Sequence, residues 1–237
     1  MDLNELIIHL KLKHGNNITP LKALGGSLGC SILWCYAELF TTAPFSYMVF
    51  VDQSPLQNST LDGWDSKYCN RGMNSAPAVA ALQSTLSFSP ETAHRGTIAA
   101  CLSYRSHPVP GDEVSDETFD EDEAFFLGEA MKGNPEWYGK LMADHTALDW
   151  RDSIGATFGP RSGSMTRVLV VASTRSGCFP AAGPLRVVEY VNGGGAGEEG
   201  NARGVAVEWG GHWCYWERPE TFNKLVLDFF DGIIEED

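Results

Sequence analysis

A serine stands between glycines in Gly25-Gly26-Ser27-Leu28-Gly29, at the junction of a short apolar stretch and a longer one. A serine on so sharp a turn takes a strained backbone conformation and holds its hydroxyl clear of the sheet, where it can attack an electrophilic carbon. Gly25 and Gly29, two residues before and two after, let a strand and a helix approach without collision. The N–H of Leu28 opens the following helix and can stabilise a developing oxyanion. A serine nucleophile also needs a base. Of the six histidines, at 9, 14, 94, 107, 145 and 212, His212 stands apart: it lies in Gly210-Gly211-His212-Trp213, after the last predicted strand and before the closing helix. A loop at a strand's carboxyl end can bring an imidazole over the sheet. The other five histidines read as surface or internally satisfied side chains.

These residues have to be positioned by strands and helices, and the sequence supplies both. Leu3, Leu6, Ile7 and Leu10 recur at helical spacing after Asp2, predicting an amphipathic helix over 2–14 that Gly15 ends. Residues 17–24 read as a short strand, the serine turn follows, and 30–40 has helical length. The run 47–51 is continuously apolar, as in a parallel strand buried on both faces, and Asp52 stands at its carboxyl end. Nothing between 55 and 160 reads as a strand, whereas 76–88, 90–104, 120–132 and 135–150 carry helical spacing, so 55–160 is expected to be a helical insertion. Strand character returns at 167–172 and 205–209, with helices at 183–191 and 219–234. Alternating strands and helices outside the insertion predict an α/β fold with a mostly parallel sheet.

Composition removes several function classes. The chain has 237 residues, 31 acidic against 17 basic, and a net charge of -14. Without a basic cluster it has nothing to offset phosphate repulsion, which argues against nucleic acid and anionic membranes. Eight of the acids crowd into 112–123, a segment expected to be a solvated, mobile loop. Residues 192–204, rich in glycine, read as a flexible connector. No run of 18 apolar residues occurs, and the first ten residues mix Asp2, Asn4, Glu5 and His9 with aliphatics, so neither a membrane span nor a secretory signal is expected. The six cysteines form no Cys-x-x-Cys pair. Reduced thiols in a cytoplasmic protein are the expectation. Cys178, His212 and Cys214 lack a fourth ligand, so no metal is predicted. Trp213, Tyr215 and Trp216 are expected to line a hydrophobic pocket or pack under the helical insertion, since nucleic-acid stacking would want basic neighbours. Asp149-Trp150-Arg151-Asp152 reads as a structural ion-pair site.

Ser27 in its turn, the strand-end Asp52, the helical insertion before 168–172, and Gly211-His212-Trp213 leading to Glu217-Arg218-Pro219-Glu220-Thr221-Phe222-Asn223 resemble the α/β-hydrolase superfamily, in its lidded esterase-like and haloperoxidase-like branch. The resemblance implies a partial α/β-hydrolase fold, with 1–54 and 161–237 as the core and 55–160 as the lid. It implies that Ser27 is the nucleophile and His212 the general base and acid, forming an acyl-enzyme that water cleaves without a cofactor. The expected substrate is a hydrophobic small molecule carrying an ester or related acyl bond; the alternative is a non-catalytic or degraded relative. The family often carries its acid after the strand at 168–172, but Ser173-Thr174-Arg175-Ser176-Gly177-Cys178-Phe179-Pro180 holds no carboxylate, and Ser176 fills that position. Some relatives place the acid one strand earlier, where Asp52 stands; Asp62, Asp65 and Asp149 are alternatives, and Asp52 could instead bond only local backbone N–H groups. The family's first strands and its histidine-glycine loop have no counterpart ahead of residue 1, which reads as a truncated N-terminus lacking the second oxyanion donor. The strand before Ser27 is then expected to be a sheet edge, suited to Pro20 and Lys22, that a second copy of the chain could cover.

Overall fold

Two apolar runs, 47–51 and 168–172, form the centre of the sheet because side chains on both of their faces are covered. The computed structural model describes residues 2–15, 20–59, 63–112, 114–194 and 200–233. In chain order the elements are α1 (Asp2–His14), β1 (Leu21–Gly26), α2 (Leu28–Phe40), β2 (Phe45–Val51), α3 (Ala76–Phe88), α4 (Pro90–Cys101), α5 (Ser103–Ser106), α6 (Asp116–Ala130), α7 (Pro135–Ala147), α8 (Arg151–Phe158), β3 (Arg167–Ser173), α9 (Ala182–Val191), β4 (Ala202–Val207), α10 (Cys214–Glu217) and α11 (Pro219–Phe230). The four strands pair in parallel in the order β1-β2-β3-β4, so their carboxyl ends lie along one edge.

Strand pleating divides the core into two layers. Met48 and Phe50 of β2 and Val168 and Val170 of β3 face α2, α8 and α9, where Trp34 packs edge-on against Phe50 and Phe50 against Phe158. Their alternates, Val49, Val51, Leu169 and Val171, face α11 through Phe222, Val226 and Phe229. Among the described residues β1 pairs only with β2, as expected of an edge, and Lys22 on it lies over Tyr47 and Phe230 and pairs with Asp231 at 3.4 Å.

The helical segment leaves and rejoins the sheet at one point. Leu56 bridges Asp149, and Trp150 N–H donates to Pro55 O at 2.9 Å. Helix α8, which was not anticipated as a helix, packs on α2 and α9 and places Ile154 and Phe158 in the first core layer.

Four sequence expectations shift. The first strand is Leu21–Gly26, and residues 17–19 of the expected 17–24 lie outside the described residues. The last strand is Ala202–Val207 instead of 205–209. Within it, a Cβ on Gly204 would come within 2.7 Å of Leu185, so the glycine lets α9 pack close. Of the expected connector 192–204, residues 195–199 lie outside the described residues, and Asn192 instead pins the start of β4, exchanging side-chain hydrogen bonds of 2.9 Å with Ala202 N–H and O. The acidic segment is not a solvated loop: α6 starts at Asp116, earlier than expected, with the Ser115 side chain accepting from Thr118 N–H and Asp116 and Glu117 in its first turn. Negative charge there is favourable at the helix's N-terminal end. Its carboxylates are also engaged, Glu123 with Arg95 and Arg105, and Asp122 with Tyr104 and Trp216. No helix of the described residues is long and apolar enough to cross a membrane.

Candidate active site

Ser27 sits between the last residue of β1 and the first of α2 with φ 51° and ψ -119°, a conformation that costs a non-glycine residue of order 1–3 kcal/mol. Two anchors hold it there: Ser27 N–H donates to Val51 O at 2.9 Å, and Ser27 O accepts from Cys30 N–H at 2.8 Å. The two flanking glycines differ. A Cβ on Gly25 would stand 2.5 Å from the backbone of Gly29, so that position tolerates only glycine without a shift; a Cβ on Gly29 would meet nothing within 4 Å. Leu28, as the first residue of α2, has no carbonyl one turn back to occupy its N–H.

Asp52 follows β2 directly, takes φ 50° and is fully buried. Its Oδ1 accepts from Ser173 N–H at 3.0 Å, and its Oδ2 accepts from His212 Nδ1 at 2.7 Å. One oxygen thus bonds backbone and the other the histidine. A carboxylate can only accept, so Nδ1 carries a proton, and Nε2 has a free lone pair when the imidazole is neutral. Of the alternatives, Asp65 is exposed and pairs with Lys67 at 3.1 Å, and Asp149 pairs with Arg151 at 2.7 Å. Asp62 lies outside the described residues.

The loop after β4 carries His212, itself 5% exposed. Three residues on, the Tyr215 ring lies 3.3 Å from the point where a Cβ on Gly26 would stand, so this loop abuts the serine turn. The imidazole also faces sulfur: one ligating atom each of Cys101, Cys178 and His212 lie within 4.8 Å of one another. Burial alone would push His212 down, but the Cys178 sulfur and the Asp52 hydrogen bond and charge override it, raising the pKa to about 9. Cys214, weighed in sequence with Cys178 and His212 as a metal set and set aside, is not part of the group; Cys101 of the helical segment is.

Ser176, at the position where the family often has its acid, is buried and turned back on its own loop, where its Oγ accepts from Cys178 N–H and Phe179 N–H at 3.1 Å each. Glu217, read in sequence only as the first residue of the closing motif and given no role, proves to hold the histidine loop. Its Oε1 accepts from Gly211 N–H at 2.6 Å, while Oε2 accepts from Ser103 N–H at 3.0 Å and Ser103 Oγ at 2.6 Å. The end of α4 fastens two more strands of chain: Ala100 O accepts from Gly177 N–H and Cys101 O from Trp213 N–H, both at 3.0 Å. Glycine is required at both contacts, since a Cβ on Gly177 would lie 2.5 Å from Ala100 O and one on Gly211 2.7 Å from Ser103 N.

Beside the histidine, Phe126 of α6 packs on Trp213 with ring centroids 4.2 Å apart, and Phe125 stacks on Trp216 at 5.1 Å. These tryptophans thus pack against the helical segment as expected. Trp213 also borders an apolar cavity of about 260 Å³, lined by His94 and Ile98 of α4, Phe126 of α6 and Tyr138 of α7.

No protein-family model matches the chain, and no curated protein matches it in sequence. Solved structures do. An esterase from Exiguobacterium antarcticum is 16% identical with a TM-score of 0.74, the match covering 96% of this chain and 70% of that one. A bromoperoxidase from Bacillus anthracis is 15% identical with a TM-score of 0.75 over 97% and 72%. An α/β-hydrolase enzyme from a Medee basin deep-sea metagenome library is 18% identical with a TM-score of 0.65 over 98% and 72%. At these identities the likeness is one of architecture, and with its four-stranded parallel sheet and the helices around it this chain has a partial α/β-hydrolase fold.

Proposed function

We propose that this protein is a serine hydrolase that cleaves an ester or related acyl bond of a hydrophobic small molecule. The observation that carries the reading is the buried Asp52–His212 hydrogen bond of 2.7 Å, formed at the strand ends beside the strained serine turn. In the proposed cycle Ser27 Oγ attacks the carbonyl carbon while His212 Nε2 takes its proton, and Asp52 stabilises the imidazolium through Nδ1. The Leu28 N–H, at the positive end of α2, faces the oxyanion. His212 then gives its proton to the leaving alcohol, and a water activated by the same nitrogen cleaves the acyl-enzyme, regenerating Ser27. No step draws on a metal or organic cofactor.

The apolar cavity next to Trp213 supports a hydrophobic acyl or alcohol group, because its walls offer more aromatic and aliphatic surface than hydrogen-bonding groups. An esterase among the similar folds is consistent with acyl chemistry at such a serine.

The test is labelling with a fluorophosphonate probe followed by peptide mapping. An adduct on Ser27 that disappears in His212→Ala is the expected result. An unlabelled protein, or labelling of another serine, would sink the proposal.

A further inference from the structure

We propose that Cys101 and Cys178 are a redox modification site, a dithiol that a hydroperoxide oxidises to a disulfide fastening the end of α4 to the loop after β3. Their sulfurs already touch at 3.7 Å across a chain separation of 77 residues. A disulfide needs about 2.05 Å, so closure requires the two side chains to turn toward each other on backbones that are already paired. Those backbones are held on each side of the pair. Gly177 N–H donates to Ala100 O and Trp213 N–H to Cys101 O, both at 3.0 Å, and Cys178 O accepts from Arg71 N–H at 2.8 Å. The close approach of the two segments depends on Gly177, where a Cβ would collide with Ala100 O.

The two thiols are unequal in the way a reactive cysteine and its resolving partner must be. Cys178 is half-buried, whereas Cys101 is 2% exposed. The Cys101 hydrogen bond draws the Cys178 pKa down against the effect of burial, and His212 reinforces it; burial pushes Cys101 well up. Thiolate character concentrates on Cys178. The other cysteines are placed differently: the Cys30 thiol donates to Gly25 O at 3.0 Å, and Cys69 to Asp65 O at 3.7 Å.

In the first step the Cys178 thiolate attacks one oxygen of a hydroperoxide, forming an S–O bond and breaking O–O, and the alkoxide leaves as the alcohol after taking up a proton. Cys101 sulfur then attacks the Cys178 sulfur, the S–S bond forms, and hydroxide departs with the Cys101 proton as water. Two thiols lose two electrons and two protons; the hydroperoxide becomes an alcohol and water. An external dithiol reverses the change. The proposal is one of thiol chemistry and stands or falls apart from Ser27.

The experiment treats the reduced full-length protein with tert-butyl hydroperoxide, maps peptides under non-reducing conditions, and follows thermal unfolding. Expected are a Cys101–Cys178 cross-linked peptide, a loss of two of the six titratable thiols, and an unfolding midpoint raised by about 10 °C that dithiothreitol reverses. In Cys101→Ala, dimedone should instead trap a sulfenic acid on Cys178 and the midpoint should not rise on oxidation. A disulfide joining any other pair overturns the proposal, and so does sulfinic acid on Cys178 of the parent protein with no cross-link. A stoichiometric zinc ion in the protein as purified, shielding both thiols until a chelator removes it, likewise overturns it in favour of a metal site. The mapping on the parent chain decides even if the alanine variant does not fold.

Discussion

Replacing Asp52 by Asn separates its two duties. The new amide oxygen can keep the hydrogen bond from Ser173 N–H at 3.0 Å, so the strand ends stay joined. The amide NH2 then faces His212 Nδ1, which must become an acceptor, and the ring proton moves to Nε2, where it blocks proton transfer from Ser27. Two energies are involved. The His212 pKa of about 9 against an ordinary 6.5 means that its surroundings favour the imidazolium by about 3 kcal/mol, a preference shared by Cys178 and Asp52. The wrong tautomer adds to that loss, and for a Ser-His-Asp triad the whole change is worth about 10⁴-fold in kcat, or about 5 kcal/mol of barrier. The assay is kcat/KM for a p-nitrophenyl ester from pH 6 to 10, with circular dichroism melting as a check on folding. The parent rate should climb with pH toward an inflection near 9, because the base must be neutral; in Asp52→Asn the plateau should fall by about 10⁴ and the inflection should move down. A variant within tenfold of the parent, or an equal loss in Asp149→Asn, would refute the assignment of the acid.

Two buried histidines should bracket the stability optimum. The raised pKa of His212 contributes stability in full below about pH 6.5, and this is lost as pH climbs through about 9. Burial lowers His145 to about 4, so the fold loses stability as pH falls from 6.5 through 4, where the unfolded chain binds a proton that the folded one excludes. Urea unfolding across pH 4 to 10 should show a maximum near 6.5 with about 3 kcal/mol lost on each side, the acid loss flattened in His145→Leu. At the serine turn, Gly25→Ala should cost about 1–3 kcal/mol through its clash with Gly29, whereas Gly29→Ala, with open space and a helical backbone, should be neutral or stabilising by up to about 1 kcal/mol in thermal melts. Glu217→Gln leaves one side of the Gly211–Ser103 clamp facing an amide NH2 and should lower stability by about 1.5–3 kcal/mol, read from denaturant midpoints.

The parts of this molecule legible in sequence are those whose physics is local. A strand buried on both faces has to be an unbroken apolar run, so 47–51 and 167–172 announced β2 and β3, and a lone carboxylate closing the first run marked Asp52. The glycine-flanked serine needed only its neighbours to be read as a turn. What stayed hidden depends on partners distant in sequence. Cys101 is an ordinary small residue at a helix end until the fold sets it against Cys178, and Glu217 is one more acid until Gly211 and Ser103 close on it. The start of α6 was obscured by its acids, whose repulsion is relieved by Arg95 and Arg105 from other helices. Arg151–Phe158 is short and interrupted by Gly155, and its helical state rests on packing against α2 and α9.

If the protein acts as proposed, the carbonyls at the end of α4 constrain how a substrate enters. Since Ala100 O and Cys101 O hold the loops of Cys178 and His212, swinging α4 outward would drag the imidazole off Asp52. A door that leaves the proton path intact has to hang elsewhere. The remaining walls of the cavity belong to α6, which rests on Trp213 through the Phe126 ring, to α7, and to Gly133 and Asn134 between them. On the proposed hydrolase reading, admission means parting α6 from the tryptophan loop, where Phe126 packs on Trp213 and Phe125 stacks on Trp216, while α4 serves as the fixed jamb.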